Sequence, residues 1–313
     1  MKARLLDLLV CPLCLPAELY LTADISAEQH GDIATGSLYC PQCGTSYPIV
    51  DGVALLDPQA TDTQRGANKY ETDEVLSSYL WSHFSDLLDG EEQSSQAYAV
   101  WAGMMRPQRG VALDAGSAVG RFTFEMSARC DFAIGIDTSQ AFIRAARRLM
   151  RERSMAVALK DEGLLVREIT IHLPDAWHSD RVEFIVANAQ ALPFRQDSIA
   201  LFSSLNLVDK VPDPLRHLRE MNRVIRNAHA QFLLSDPFSW STEAAPVEAW
   251  LGGKKQGRFA GKGLANVAAM LADEENELVP SWRVGEPGSV WWTIRTHSNH
   301  YELIRSCFIR AER

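Results

Sequence analysis

Residues 111–138, VALDAGSAVGRFTFEMSARCDFAIGIDT, constrain the fold of this chain more than any other stretch. Residues 111–113 are a short apolar run, which predicts a buried strand. The run ends in Asp114-Ala115-Gly116-Ser117-Ala118-Val119-Gly120, a tight turn of small residues. Residues 121–129 predict a helix with Phe122, Phe124 and Met126 among its apolar positions, and residues 132–136 a second strand closed by Asp137 and Thr138. Strand, glycine turn, helix, strand and acid make a nucleotide-binding βαβ unit. Gly116 and Gly120 lack a Cβ, so the backbone can turn sharply and lie close to a ligand. Asp137, at the end of a strand, is placed to accept hydrogen bonds from two ribose hydroxyls.

At 313 residues the chain exceeds one average domain,. Four of its six cysteines form two knuckles, Cys11-Pro-Leu-Cys14 and Cys40-Pro-Gln-Cys43. Paired Cys-x-x-Cys knuckles present thiolates at the spacing of a structural zinc site, with residues 19–22 and 36–39 as strands that bring them together. Disulfides and a redox pair are the alternatives, and no secretory signal supports an oxidising compartment. The opening segment carries Asp7 inside its apolar patch, unlike a signal peptide, and no apolar run is long enough for a membrane span, so a cytoplasmic protein is expected,. The net charge of −9 opposes sequence-independent attraction to nucleic acid,. Residues 1–57 carry two basic side chains against seven acidic ones, the wrong balance for gripping RNA,.

Residues 58–66 are polar and turn-rich and predict a linker. Residues 73–88 and 93–105 predict helices; Tyr70, Tyr79 and Trp81 there read as core or lid. Residues 140–155 predict an amphipathic helix whose arginines face solvent. An inserted hairpin is expected at 164–173, and strands at 182–186, 199–203 and 231–234. The third parallel strand ends at Ala187-Asn188-Ala189. Ligands in such sheets bind outside the carboxyl ends of the strands, which puts Asn206 and Asp209 where a substrate would sit; Asp209 reads equally well as a helix cap or loop acid. Residues 291–295 and 301–309 suit a closing antiparallel hairpin. Cys130 and Cys307 read as core.

The turn Asp114-x-Gly116-x-x-x-Gly120 resembles motif I of class I S-adenosylmethionine methyltransferases, and GIDTS at 135–139 resembles their second motif. Ala191-Leu192-Pro193-Phe194 is similar to the turn that follows their third strand. The resemblance implies an α/β fold: a Rossmann-like, mostly parallel sheet with an antiparallel last strand, here behind a small N-terminal zinc ribbon. It divides the chain into a ribbon (1–57), a linker and helical lid (58–105) and a methyltransferase domain (106–313). It implies S-adenosylmethionine as cofactor, with Asp114, Gly116, Ser117, Ala118 and Gly120 at its amino-acid end. Asp137 and Thr138 would then meet the ribose, and Asn188 and Ala189 the adenine. Asn206 would orient the acceptor; Asp209, His297, His300 and Tyr301 are candidates for taking a proton.

LLDLLVCPLC and YCPQCGTSYPIVDGVALLD resemble the small zinc-ribbon proteins that partner or precede methyltransferases, which implies a protein partner for the ribbon. AVGRFTFE, GIDTSQAFI, KDEGLL, RVEFIVANAQAL, NLVDKVPDP, SDPFSW, WLGGKK and IRTHSNHYE together resemble the mercaptohistidine N-methyltransferase domain fused to ovothiol synthases. This chain has no sulfoxide-synthase half. The resemblance implies methyl transfer to a nitrogen or sulfur of a small molecule, an imidazole-like acceptor first. An RNA methyltransferase that uses the ribbon, and a non-catalytic scaffold, are the alternatives.

Overall fold

The computed structural model describes residues 1–58, 69–275 and 277–313. From residue 59 the expected linker lies outside the described residues. The N-terminal unit opens on a 3-10 turn (Ala3–Leu8) and continues as an antiparallel sheet in the order β1 (Thr22–Gln29), β2 (Asp32–Tyr39), β3 (Ser46–Val50) and β4 (Val53–Ala54). In β3 the alternation turns Tyr47 and Ile49 inward. All eight residues of β1 are exposed, so it has no core face and shows no period-two signal,. The strand expected at 19–22 therefore starts at Thr22 and runs on to Gln29.

Two helices follow, α1 (Asp73–Phe84), capped by the Thr72 side chain, and α2 (Ala97–Met104). The βαβ unit is β5 (Val111–Ala115), α3 (Arg121–Met126) and β6 (Phe132–Asp137). Next comes α4 (Gln140–Glu152), whose cap Ser139 accepts from the Phe142 N–H. The helix stops three residues short of the expected end: Arg153 takes φ 58° and donates its N–H to Leu149 O. Ser154 and Met155 instead begin β7 (Ser154–Lys160), which pairs with β8 (Val166–His172) as the inserted hairpin.

The chain continues through β9 (Val182–Val186), β10 (Ile199–Leu205), α5 (Pro214–Val224), β11 (Gln231–Asp236), α6 (Gly263–Ala272), β12 (Arg283–Val284), β13 (Gly288–His297) and β14 (His300–Glu312). Asp213 caps α5 and Pro214 sits at its first turn, where a missing N–H costs nothing,. The main sheet runs β12-β14-β11-β10-β5-β6-β9, parallel from β11 to β9, with β14 antiparallel to β11 and to β13. This is the expected mostly parallel α/β sheet. Helix α6 was not foreseen; it buries Val267, Met270 and Leu271.

β9 would be an open edge, a row of unpaired backbone groups. The N-terminal unit covers it: Leu55 bridges Val186 in parallel, and Leu56 N–H donates to Val186 O at 2.8 Å. Val10 N–H donates to Pro193 O (3.0 Å), and Arg195 N–H to Leu8 O (3.1 Å). Leu5, Leu9, Leu38 and Ile49 share one core with Ile134, Ile185 and Phe194 of the larger unit. Each such buried side chain contributes about 1.5–3 kcal/mol. Among the described residues no helix is long and apolar enough to cross a membrane.

Candidate functional site

The four knuckle thiols converge. The Sγ atoms of Cys11, Cys14, Cys40 and Cys43 all lie within 4.8 Å of one another. Cys11 and Cys43 are 3.7 Å apart, and Cys14 and Cys40 3.8 Å. Four sulfurs placed tetrahedrally around zinc would be about 3.8 Å apart, whereas a disulfide would bring two to about 2 Å. The donor set fits a zinc ion. Cys14 N–H closes the first knuckle on Cys11 O, and Gly44, at φ +74°, closes the second on Cys40 O. The Tyr47 hydroxyl lies 3.2 Å from Cys11 Sγ, and the Thr45 hydroxyl 3.2 Å from Cys43 Sγ, both able to donate to thiolates.

The second site opens where the strand order reverses, between β5 and β10. Such a reversal leaves a crevice outside the carboxyl ends of the strands. Ile136 O accepts from both Gly116 N–H and Ser117 N–H at 2.9 Å, folding the glycine turn back on β6. Asp137 takes one backbone N–H on each oxygen: Ala118 N–H at 3.0 Å and Ser139 N–H at 2.9 Å. Each oxygen keeps a lone pair for a hydroxyl. Burial pushes this carboxyl up to about 6, with the turn's N–H groups opposing.

Gly116, Ala118, Asp137, Thr138, Asn188 and Ala189 all line a cavity of about 910 Å³. A Cβ on Gly116, at φ +73°, would lie 3.0 Å from Leu207, so a side chain there would crowd Leu207 and strain the turn,. Gly120 has a different reason to be glycine: at φ +88°, its Cβ would fall 2.6 Å from the Phe184 ring. That glycine serves the packing of α3 on β9 and is not part of the cavity wall. Asp114 and Ser117 lie behind the turn. The Asp114 carboxylate accepts from the Thr123 and Ser203 hydroxyls, both at 2.8 Å, and burial raises it to about 6. Asn188 Oδ1 accepts from Gln190 N–H at 2.9 Å. The following Ala189 O lies 3.1 Å from His217 Nδ1, and His217 Nε2 lies 2.9 Å from the Ser204 hydroxyl. Burial lowers that imidazole to about 4, so the loop is tied down by a neutral ring. A glycine approach, a diol acceptor and a fixed exit loop fit S-adenosylmethionine.

Beyond the turn the cavity widens into a chamber. Helix α1 supplies Tyr79 and His83, α2 supplies Tyr98, and the β13–β14 hairpin supplies Trp292, Ile294 and Ile304. The hairpin reaches the chamber because β14 pairs with β11 only over residues 307–312; its first half projects past the edge of the sheet. Tyr79 packs tilted on Phe142 (4.8 Å between centroids) and edge-on against Tyr70 (5.9 Å), which closes the side above Asp137. Tyr98 Oη lies 2.7 Å from His83 Nε2. Burial, then the nearby Arg121 charge, lowers His83 to about 3, so it is neutral. Arg121 fixes this end of the lid by donating to His83 O (2.8 Å), Asp86 (2.5 Å) and Glu125 (2.9 Å).

The expected acceptor residues separate. Asn206 lines the cavity at φ 55°; its N–H donates to Ser235 O at 2.6 Å, and its Oδ1 accepts from the Ser306 hydroxyl at 2.5 Å. Asp209 is buried behind the wall. It accepts from Ser239 N–H at 2.6 Å and lies 3.2 Å from Lys210 Nζ, so the residues it holds line the cavity and it does not. Burial raises its carboxyl and that of Asp236, whose Oδ2 accepts from Asp209 N–H. His297 and His300 pair their rings at the hairpin tip, and Tyr301 sits against Trp81, none of them in the cavity wall. Sequence reasoning did not single out His83, Tyr98, Trp292 or Glu302. Tyr79 and His83 lie four apart on one helix face, the only signal they give.

Residues 2–52 match the family described as Trm112p-like protein, and residues 113–228 the family described as methyltransferase domain. No curated protein matches the chain. Among solved structures, the YcgJ protein of Bacillus subtilis is 14% identical over 70% of this chain and 98% of that one, with a TM-score of 0.44. A SAM-dependent methyltransferase of Methanosarcina mazei is 17% identical over 68% and 96%, with a TM-score of 0.43. Phosphoethanolamine N-methyltransferase 2 of Haemonchus contortus is 17% identical over 61% and 38%, with a TM-score of 0.40. The chain thus carries a class I S-adenosylmethionine-dependent methyltransferase domain behind a Trm112p-like unit with a zinc-ribbon-like cluster of four cysteines.

Proposed function

We propose that this protein methylates a nitrogen of a small molecule, with an imidazole-like compound as the first acceptor to try. The observation that carries the reading is the chamber: its acceptor side is walled by Tyr79, Tyr98, Trp292, Ile294 and Ile304 rather than by a basic groove. Rings and branched side chains favour a compact, planar, partly apolar acceptor. The acidic N-terminal unit opposes a grip on RNA,. S-adenosylmethionine, when bound, supplies an already activated methyl group, so the protein's task is alignment. In this reading Gly116 and Ala118 border the amino-acid end, with Asp114 and Ser117 bracing the turn from behind and Gly120 setting α3 against β9. Asp137 holds the ribose with Thr138 beside it, and Asn188 and Ala189 bracket the adenine. Asn206, braced by Ser306, orients the acceptor; Asp209 holds Lys210 and Ser239 in the wall.

The four cysteines hold a structural zinc, as befits a reducing cytoplasmic compartment. The ribbon's partner is in the first place its own methyltransferase domain. Calorimetric titration with S-adenosylhomocysteine, followed by tritium transfer from S-adenosylmethionine to a panel of imidazoles and to bulk RNA, tests the proposal. Micromolar binding with label in an imidazole supports it. Absence of any cofactor binding would refute it in favour of a scaffold, and label in RNA would move the acceptor to nucleic acid.

A further inference from the structure

Along β14, Ser306, Ile304 and Glu302 share one face, because successive side chains in a strand alternate. Ser306 bonds Asn206 at the mouth of the β5–β10 crevice, while Ile304 and Glu302 line the cavity. Opposite them on β13, Trp292 pairs with Ile304 and Ile294 with Glu302, and both line the cavity too. The wall therefore has an order. It begins with the polar Asn206–Ser306 contact, continues with an apolar band of Trp292, Ile304 and Ile294, and ends with a carboxylate. At strand rise, Glu302 stands about 13 Å above Ser306, and less once the side chains on both levels reach inward.

Glu302 has no cation paired with it among the described residues. The positive side chains of the cavity belong to other neighbours: Lys210 lies on Asp209, and Arg216 Nε donates to Gln190 O at 2.8 Å. The lining acid Asp137 is held by backbone N–H groups. Glu302 itself is exposed, at the open end of the wall, where it pairs across the hairpin with Ile294. Tyr79 lies close enough that Glu302, after burial, Tyr70 and Asp137, helps push its phenol up. Ring faces and one unneutralised carboxylate at the end of an apolar wall form a seat for a cation.

We propose that the acceptor is an elongated amphipathic amine. Its planar or apolar body lies along Trp292, Ile294 and Ile304, and a protonated amine at its far end pairs with Glu302. The inference rests on the small-molecule methyl-transfer reading and adds to it the charge and length of the acceptor. A neutral or anionic compound with the same body leaves Glu302 unpaired and binds more weakly.

The test uses the full chain saturated with S-adenosylhomocysteine and two matched pairs of probes. Histamine is compared with 4-methylimidazole, and tyramine with p-cresol, each pair sharing a body and differing in the aminoethyl arm. Calorimetry is expected to show the amine of at least one pair binding up to about fivefold tighter than its amine-free partner, the range open to an ion pair with an exposed carboxylate,. Glu302→Gln should erase that difference and Glu302→Asp retain part of it, with the affinity for S-adenosylhomocysteine unchanged in both. Equal affinities within both pairs, no binding by any probe, or a preference that survives Glu302→Gln would each overturn the proposal. Failure of S-adenosylhomocysteine to bind the unaltered protein would instead refute the methyl-transfer reading itself, so the two failures are told apart.

Discussion

Arg147→Met is the sharpest test of how the two units are joined. Glu183 on β9 is fully buried, and its carboxylate is held by the Arg147 guanidinium from α4 and by the Lys2 backbone N–H from the N-terminal unit. Arg147 also reaches Asp32 on β2 at 3.3 Å. Burial lowers the guanidinium to about 10, so it is still a cation at neutral pH. Methionine keeps much of the volume and removes the charge, which strands a buried carboxylate. Breaking a buried pair from one side costs about 3–5 kcal/mol, and for a chain of this length that is about 5–8 °C in Tm. Removing both charges with Glu183→Leu added to Arg147→Met leaves the Lys2 and Phe184 N–H groups short of an acceptor, a loss of about 1–3 kcal/mol each. It strands no buried charge, however, and apolar replacement of a whole buried pair is often neutral or stabilising. The double variant should thus be more stable than Arg147→Met alone. Denaturant unfolding and thermal melts of the parent, both single variants and the double variant measure this. An Arg147→Met protein within about 1 kcal/mol of the parent, or a double variant worse than both singles, would refute the reasoning.

Two further outcomes follow from the same geometry. In the unliganded protein Asp137 titrates near 6, above its ordinary 3.8, and only its ionised form accepts with both oxygens. Affinity for S-adenosylhomocysteine should therefore hold above pH 7 and fall as pH drops through 6, by up to about tenfold per unit. Asp137→Asn should bind at least tenfold more weakly at pH 7.5 and lose most of that pH dependence, read by calorimetry. Metal analysis should return about one zinc per chain; chelation, or Cys40→Ser, should release it and expose the apolar side of the N-terminal unit to a hydrophobic dye. A metal-free protein with an unchanged melt would remove the zinc from the account.

The parts of this molecule that the sequence announces are those governed by local rules. The glycine turn, its flanking strands and Asp137 are contiguous, and each has a residue type that the backbone conformation demands. The cysteine knuckles are legible for the same reason, since their spacing is the geometry. The aromatic chamber was not legible. Tyr79, Tyr98 and Trp292 are apolar-face residues in their own elements, and only the projection of the hairpin past β11 and the crossing of α1 over it make them neighbours. Asp209 shows the converse: its place after β10 suggested an exposed acid, but the turn at Asn206 and the return of Ser239 bury it. β1 was misjudged because a strand exposed at every position carries no alternation to read.

Gly120 and the bridge at Val186 show how stability and site are built from the same residues. β9 carries Phe184, against which only a glycine at 120 can close, and two residues further Val186, which accepts the backbone of the N-terminal unit. The strand then leaves the sheet as Ala187-Asn188-Ala189 and becomes cavity wall. The loop that follows is held on its far side by Val10 on Pro193 and by Leu8 on Arg195. Both ends of residues 187–195 are thus fastened by the ribbon, and the middle by His217 and by Glu220, which accepts from Leu192 N–H at 2.8 Å. A loop with so many fixed backbone groups pays little ordering entropy when a ligand docks on it. The ribbon therefore acts on the Asn188–Ala189 wall of the cavity from outside it: it turns a sheet edge and its exit loop into a rigid wall.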